Sequence, residues 1–384
     1  MTEPPPRPGA LFLAFLRLGA TAFGGPAMVP YVGELATRRR WTSREEFAEG
    51  VALCQAIPGA TAMQSAAFVG LRAAGVRGAF AAYAGFGLPA VLLMIAASAA
   101  YGRVEGLAPV QAGFRGFRAM IVALVASAAV GFARTHVRSV RDVLVALGCA
   151  GALWARASPV AVIAGAAVVG VALHRRAPAA SSEALRAWPR GTTRVAAGIL
   201  FAGVALAVLL LAISPHLGGL ALVCMKVDAL AFGGGFASVP LMFHELVEVR
   251  PWLEAKTFMD GIALGQVTPG PIVVTATFVG YRVGGLAGAL VATVSIFLPS
   301  FALVVGAAPW FGRLRARAWF VPALHGAMLS FVGLLAFVTG QFAGAVQWSV
   351  GSGVLAALSF VALRAGIDVL WVVLASGAAA ALAL

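Results

Sequence analysis

Long apolar segments dominate the chain, and short polar or glycine- and proline-rich stretches separate them. Near-continuous apolar runs occur at Leu88–Ala100, Val195–Ile213, Gly284–Trp310 and Val369–Leu384. They approach or exceed the roughly 20 residues with which a helix crosses a bilayer, and they lack the alternation of a membrane β-barrel. The pattern predicts an all-α polytopic membrane protein, and its 384 residues leave room for about 12–13 segments.

Composition and charge placement favour a multi-pass protein of the cytoplasmic (inner) membrane. Hydrophobic residues make up 61% of the chain and charged residues 11%, whereas soluble domains carry about 25% charged residues. The net charge is +14, and many of the arginines gather at segment ends, at Arg38–Arg40, Arg134–Arg141, Arg175–Arg194 and Arg313–Arg317. This placement is typical of cytoplasmic loops beside lipid headgroups. We therefore expect the lipid bilayer, and not nucleic acid, as a partner.

One series of motifs occurs twice. Copy one contains Phe23-Gly24-Gly25, Pro30, Trp41, Phe47, Gln55, Pro58-Gly59, Phe68-Val69-Gly70, Arg72 and Leu88-Pro89. Copy two contains Phe232-Gly233-Gly234, Pro240, Trp252, Phe258, Gln266, Pro269-Gly270, Phe278-Val279-Gly280, Arg282 and Leu298-Pro299. The offset stays between 209 and 211 residues, which indicates a duplicated unit. Paired glycine- and proline-interrupted segments in two halves indicate the site of a membrane transporter.

A polar stretch divides the two copies. We predict a first half at residues 1–173, a cytoplasmic linker at 174–194 and a second half at 195–384. If every apolar segment crosses once, an odd number of crossings separates the copies, which makes them inverted repeats. The same count places Arg38–Arg40 outside, against the positive-inside rule. A re-entrant early segment would remove this conflict.

The Phe-Gly-Gly motifs predict a broken helix in each copy. Two glycines cost about 1 kcal/mol each in a helix interior, and Pro26 and Pro240 follow the motifs. A broken helix exposes N–H groups at a half-helix N-terminus, which suits an anion. Close helix packing through small residues is the alternative. The predicted substrate-binding residues here are Phe23, Gly24, Gly25, Pro26, Phe232, Gly233 and Gly234.

The Gln-x-x-Pro-Gly motifs predict a second break in each copy. Proline removes a backbone donor and glycine permits non-helical backbone, so the predicted site includes Pro58, Gly59, Pro269 and Gly270. Gln55 and Gln266 are predicted either to donate an amide hydrogen bond to an oxyanion or to bridge the kinked backbone.

Charges within apolar sequence are functional candidates. Arg17 and Lys226 lie six residues before Phe23 and Phe232, and Lys226 is the leading candidate for anion contact. Asp228 is expected to pair with Lys226 or, as the alternative, to couple transport to protons. His244 is a second coupling candidate, with a surface histidine as the alternative. Eight other acids cluster at segment edges and are expected to be mostly solvated: Glu34, Glu45, Glu46, Glu49, Glu245, Glu248, Glu254 and Asp260.

Other chemistries lack their motifs in the sequence. No Gly-x-x-x-x-Gly-Lys-Ser/Thr loop occurs, which disfavours an ATP-driven pump. The histidines and the three cysteines are dispersed, so we expect no metal site. We expect no cofactor and no catalytic residues.

The series Phe23-Gly24-Gly25-Pro26, Trp41, Glu46-Phe47 and Gln55-x-x-Pro58-Gly59 resembles the chromate ion transporter family. The second copy and the chain length resemble its long, two-domain members. The resemblance implies a secondary transporter that exports chromate from the cytoplasm, driven by the proton motive force, with sulfate as a mimic. Copy two has Gly235 where copy one has Pro26, and copy one has Ala60 where copy two has Pro271. The two half-sites are therefore expected to differ at these positions.

We therefore predict a proton-coupled oxyanion transporter that confers chromate resistance, and not an enzyme. The alternatives are an uncoupled oxyanion channel and, ranked lower, an integral-membrane enzyme. The expected partners are a chromate- or sulfate-like dianion, protons and lipid. The sequence leaves a homodimer open.

Overall fold

The structure is a computed structural model that describes residues 6–23, 28–173 and 191–383. The described residues are almost entirely helical and contain no strand, so the predicted all-α fold is confirmed. Five helical stretches are long and apolar enough to cross a membrane: Thr61–Val104, Val110–His136, Thr192–Ile213, Ile272–Arg315 and Phe320–Ala345. The chain is a multi-pass membrane protein with two homologous halves.

The chain forms two compact units, and each draws on both copies of the repeat. Unit one comprises the described parts of Met1–Ile95, Ala180–Ser238 and Thr268–Ala316. Its helices are α1 (Pro8–Thr21), α2 (Met28–Arg38), α3 (Arg44–Ala56), most of α4 (Thr61–Val104), α8 (Thr192–Ile213), α9 (Pro215–Leu230), the start of α10 (Gly235–Phe243), α12 (Thr275–Ala307) and α13 (Phe311–Arg315). The predicted linker lies mostly outside the described residues, and α8 already begins at Thr192.

Unit two comprises the described parts of Ala96–Ala179, Val239–Val267 and Arg317–Leu384. Its helices are the end of α4, α5 (Ala108–His136), α6 (Val140–Trp154), α7 (Pro159–Leu173), the rest of α10, a π-helix (His244–Val249), α11 (Ala255–Val267), α14 (Phe320–Ala345), α15 (Val350–Arg364) and α16 (Val369–Ala383). Matching capping boxes begin α6 at Ser139 and α15 at Ser349. The two serines are 210 residues apart, so the repeat extends to local capping chemistry.

The two 44-residue spans are helical hairpins. The helical backbone of α4 is interrupted at Ala74–Gly75, and that of α12 at Gly284–Gly285, with a left-handed φ of 66° at Gly75 and 58° at Gly285. In α12 the hydroxyls of Thr277 and Thr293, which lie at equal sequence distances from Gly285, are 2.8 Å apart. The arms of each hairpin therefore run antiparallel, and glycine pairs such as Gly70–Gly78 let their backbones touch.

In copy one, α3 and the first arm of α4 (residues 61–74) form another hairpin. Arg72 contacts Glu46 at 2.6 Å, and a Cβ on Gly50 would collide with the ring of Phe68. Both pairs are symmetric in sequence about Gly59, so the two helices run antiparallel with Gly59 at the bend. A capping box of Ser43 and Glu46 fixes the start of α3.

Helices α1 and α2 return to the same end of unit one. Pro8 and Gly9 at the start of α1 line a surface groove with Val76 and Arg77, which follow the α4 bend. The ring of Trp41, just after α2, stacks on that of Phe15 in α1 at a centroid distance of 6.0 Å. Helices α1 and α2 therefore also form a hairpin. The open ends of this hairpin and of the α3–α4 hairpin lie beside the Ala74–Gly75 bend.

Candidate anion-binding site

The helix interruptions of the two copies meet within unit one. The loop between α3 and α4, here called the Gly59 loop (residues 57–60), donates a hydrogen bond from the Gly59 N–H to the Ala231 carbonyl at 3.0 Å. The loop after α11, the Gly270 loop (residues 268–271), donates from the Gly270 N–H to the Ala22 carbonyl at 3.1 Å. Ala22 and Ala231 occupy equivalent positions directly after α1 and α9. Each copy thus binds the broken helix of the other.

Both loop glycines adopt backbone that other residues rarely reach. The φ angle is 120° at Gly59 and 126° at Gly270, a region that is essentially restricted to glycine. A side chain would also be excluded by contact, because a Cβ would collide with Ser300 at Gly59 and with Ala90 at Gly270. The Pro-Gly motifs are therefore required by backbone geometry and by packing.

A cavity of about 180 Å³ lies between these interruptions. It is lined by Met28, Val29, Gln55, Ala60, Thr61, Ala62, Gly233, Gly234, Gly235, Pro271 and Ile272. Since a water molecule occupies about 30 Å³ in the liquid, the space suits a few waters or one small oxyanion.

Three helices begin at the wall of this cavity. They are α2 at Met28, α4 at Thr61 and α10 at Gly235. A helix N-terminus carries about half a positive charge and presents unsatisfied N–H groups. The cavity is therefore an electropositive place built from backbone, and it can bind an anion without a lysine or arginine in its wall.

The structure places the predicted motif residues in and around the cavity. Gln55, Gly233 and Gly234 line it, whereas Pro58, Gly59, Pro269 and Gly270 are buried in the adjoining loops. Phe23 and Phe232 follow α1 and α9 and are half-buried. Gly24, Gly25 and Pro26 lie outside the described residues.

The predicted cations do not line the cavity. Arg17 on α1 and Lys226 on α9 are exposed, and neither is among the residues of the cavity wall. The expected pairing of Lys226 with Asp228 is wrong, because residues two apart on a helix do not face each other. Asp228 is instead buried, and its Oδ2 accepts a hydrogen bond from the Ser300 N–H at 2.6 Å.

Two further predicted residues belong to unit two. Gln266 is near the end of α11, where its Nε2 is buried and has no hydrogen-bond partner among the described residues. The Nδ1 of His244 lies 2.8 Å from Oε2 of Glu248 on the surface of the π-helix.

The expectation that the acids at segment edges are mostly solvated is wrong for Asp260. Its carboxylate is fully buried and binds Arg118 through two contacts of 2.7 and 2.6 Å, and Tyr101 donates to it at 2.8 Å. Glu245 is also largely buried and binds Arg250 at 2.7 Å. Within the described residues, no cluster of three His, Cys, Asp or Glu side chains could hold a metal ion.

Several residues of the site were not foreseen from the sequence. Thr61 lines the cavity, and Gln64 closes the Gly59 loop by donating from Nε2 to the Pro58 carbonyl at 2.6 Å. Ser300 and Tyr83 contact each other beside Asp228, with their hydroxyls 2.9 Å apart. Gln64 is a lone amide in an apolar run, and Ser300 directly follows the repeated Leu-Pro pair. Those were the available signals.

The chain is thus a duplicated helical membrane protein, and the cavity at which its helix N-termini converge is the candidate anion site. The chain belongs to the chromate transporter family, whose model matches residues 9–171 and 218–381. It is 41% identical over 370 residues to the uncharacterized transporter MJ0718 of Methanocaldococcus jannaschii, covering 95% of this chain and 92% of that protein. It is 32% identical to a chromate transport protein of Pseudomonas aeruginosa, covering 98% and 92% of the two chains.

A probable chromate transport protein of Synechococcus elongatus is 32% identical, with 86% of this chain and 82% of that protein covered. No solved structure matches the chain. Family membership supports a chromate transport function, and a transporter family is consistent with a protein that is not an enzyme.

Proposed function

We propose that this protein is a secondary active transporter that exports chromate, or a similar tetrahedral dianion such as sulfate, from the cytoplasm and thereby confers chromate resistance. The proton gradient drives the export. The observation that supports this most is the convergence of helix N-termini from both copies on one cavity. A cavity whose positive character comes from fixed backbone dipoles suits an anion that must bind and leave again.

In this proposal the two copies have opposite orientations. Two hairpins of copy one, α1 with α2 and α3 with the first arm of α4, each return to the side of the membrane from which they start. They therefore contribute no net crossing. The second arm of α4, helix α5 and helix α8 then each cross the membrane once. Helices α6 and α7 enter and leave on the same side, so this pair adds no net crossing however deeply it inserts. The number of crossings between the start of α1 and the start of α9 is therefore odd, as inverted repeats require.

The arginine distribution supports this orientation. With re-entrant hairpins in copy one, the count of crossings assigns Arg38–Arg40, Arg134–Arg141 and Arg313–Arg317 to one side of the membrane. That side is the cytoplasm by the positive-inside rule. The conflict that arose from counting every segment as a crossing disappears.

Flux measurements in liposomes test the function. Purified protein is expected to take up chromate when a proton gradient is imposed, and excess sulfate is expected to compete. Uptake that ignores the gradient would identify a channel in place of a coupled transporter. Absence of chromate and sulfate flux in protein that elutes as a single folded species would contradict the proposed function.

Substitution of Thr61 tests the cavity. Its hydroxyl lies at the wall where α4 begins, and a hydrogen bond to a charged ligand contributes about 1.5–3 kcal/mol. Thr61→Val is therefore expected to weaken the apparent affinity for chromate at least about tenfold. Thr339→Val is the matched control, because that hydroxyl bonds only to the Leu335 carbonyl of its own helix, at 2.7 Å. Equal affinities in the two variants would remove Thr61 from the site.

A further inference from the structure

A buried carboxylate stands directly behind the Gly59 loop. Asp228 is 1% exposed, and its Oδ2 accepts from the Ser300 N–H at 2.6 Å. Ser300 follows Pro299 within α12, where a proline disturbs the regular hydrogen bonding of the helix. The carboxylate thus binds a backbone donor at an irregular point of a buried helix.

Two hydroxyls extend this contact. The Ser300 Oγ lies 2.9 Å from the Tyr83 hydroxyl, and the Tyr83 hydroxyl donates to the Phe297 carbonyl at 2.9 Å. Tyr83 is 7% exposed and Ser300 fully buried. Asp228, Ser300 and Tyr83 therefore form a continuous polar chain through apolar packing.

The charge of this carboxylate has no compensating cation among the described residues. The titratable groups near it are Tyr83, on α4, and Cys224, one turn earlier on α9. A buried charge without a partner is costly, although the Ser300 donor stabilises the charged form. The charged form of Asp260, by contrast, is stabilised by a bidentate arginine partner.

Asp228 is connected to the loop that borders the cavity. The Ala231 carbonyl accepts from the Gly59 N–H at 3.0 Å, and the Ala231 N–H donates to the Asp228 carbonyl at 3.3 Å. Ser300, which binds the side chain of Asp228, also packs against Gly59. The side chain of Asp228 is thus connected to the Gly59 loop through Ser300, and its main chain through Ala231.

We propose that Asp228 is the proton-binding residue of this transporter, and that its protonation weakens the Ser300 contact that supports the Gly59 loop beside the anion cavity. A proton from water adds to a carboxylate oxygen of Asp228, which becomes a neutral carboxyl group. Ser300 then loses a charged acceptor. This inference rests on the proposed function for its role in transport.

The repeat restricts this site to one position in the chain. The residues of copy one equivalent to Asp228 and Ser300 are Gly19 and Ala90. Gly19 packs directly on the Phe86 carbonyl, so a side chain there would collide with backbone. The proposed proton site therefore lies behind the Gly59 loop and has no equivalent behind the Gly270 loop.

Infrared difference spectroscopy across a pH titration tests proton binding without any substrate. The wild-type protein in lipid is expected to gain a carboxyl C=O band as the pH falls towards about 6, a range in which ordinary exposed carboxylates remain ionised. This band should be absent in Asp228→Asn and retained in Asp368→Asn, which removes an exposed carboxylate. A band of equal amplitude in Asp228→Asn, or no band in the wild type, would overturn the inference.

Ser300→Ala provides a second variant that keeps the carboxylate. The Ser300 side chain also stabilises the charged form of Asp228 by hydrogen bonding. Loss of this hydroxyl removes about 1 kcal/mol from the charged form, so the band should appear roughly 0.7 pH unit higher. An unchanged midpoint would contradict the proposed network.

Transport assays then separate coupling from substrate. Asp228→Asn is expected to exchange labelled chromate at equal internal and external pH, but not to accumulate it when a proton gradient is imposed. Gradient-driven accumulation at the wild-type level would overturn the coupling role. A wild-type infrared band that Asp228→Asn lacks, together with no chromate flux in the wild type, would support the proton site and contradict the proposed substrate.

Discussion

The Gly59 and Gly270 loops have the same backbone and different surroundings. Each donates one N–H to the residue that follows a broken helix of the other copy, and each contains a glycine with φ near 120°. Behind Gly59 lies Ser300, with Asp228 and Tyr83 beyond it, whereas behind Gly270 lies Ala90. Both copies have thus retained the loop geometry that shapes the cavity. The polar residues Asp228, Ser300 and Tyr83 lie behind the Gly59 loop and not behind the Gly270 loop.

The largest expected effect is a difference in the side of the membrane from which introduced cysteines are labelled. In the proposed orientation the Gly59 and Gly270 loops approach the cavity from opposite sides. In the proposed orientation, cysteines at Arg40→Cys and Arg315→Cys react with an impermeant thiol reagent from the cytoplasmic side, and Arg282→Cys reacts from the opposite side. The native cysteines Cys54, Cys149 and Cys224 are buried, so we expect little background. Labelling of positions 40 and 315 from opposite sides would contradict the re-entrant hairpins.

The glycines themselves come next. Gly59→Ala and Gly270→Ala each force a side chain into a strained φ, which costs about 1–3 kcal/mol, and into a collision with Ser300 or Ala90. We expect both variants to lose several degrees of thermal stability in detergent, measured by intrinsic fluorescence, and most of their chromate flux. Gly131→Ala is the control, because a Cβ there meets nothing within 4 Å. Wild-type behaviour of either loop variant would show that its loop is not constrained as described.

A matched pair of hydroxyl deletions sharpens the comparison. Tyr83 and Thr293 are equivalent in the repeat, and their hydroxyls bond to Ser300 and to Thr277, respectively. Each deletion is expected to cost about 1 kcal/mol of stability. Only Tyr83→Phe is expected to change how chromate flux depends on pH. Similar pH profiles for Tyr83→Phe and Thr293→Val would mean that the polar chain behind Gly59 has no special role.

The smallest expected effect is at the open end of the hairpin that α3 forms with the first arm of α4. Glu46 contacts Arg72 at 2.6 Å with a partly exposed side chain, and copy two has Thr257 at the equivalent position. Partly exposed pairs contribute about 1 kcal/mol or less. Glu46→Gln should therefore lower thermal stability slightly and leave chromate flux unchanged. A large loss of chromate flux would show that this end of the hairpin takes part in transport.

The sequence predicted the elements of this fold better than their arrangement. The Phe-Gly-Gly and Pro-Gly motifs identify the interruptions because glycine and proline act locally. The bends at Gly75 and Gly285 were not predicted, since glycines within apolar helices often serve close helix packing. Without those bends, a 44-residue apolar stretch cannot be recognised as a hairpin, and the positive-inside rule appeared to fail at Arg38–Arg40.

The candidate site shows the same limit. Gln55, Gly233 and Gly234 were predicted and line the cavity, because motif residues at helix breaks carry their own signal. The cations were chosen by their depth in apolar sequence, but the faces of α1 and α9 turn Arg17 and Lys226 outward. Ser300 reaches Asp228 across 72 residues of sequence, and no local pattern predicts a contact of that range.

Helix α8 lies between the two repeats that the family model matches, residues 9–171 and 218–381, and most of its side chains are exposed. Its contribution to the packed interior is correspondingly small. In the proposed orientation its single crossing makes the number of crossings between the two copies odd, which gives copy two the opposite direction in the membrane. A chain lacking Thr192–Ile213 would insert both copies the same way round, and the two Pro-Gly loops would no longer approach each other from opposite leaflets.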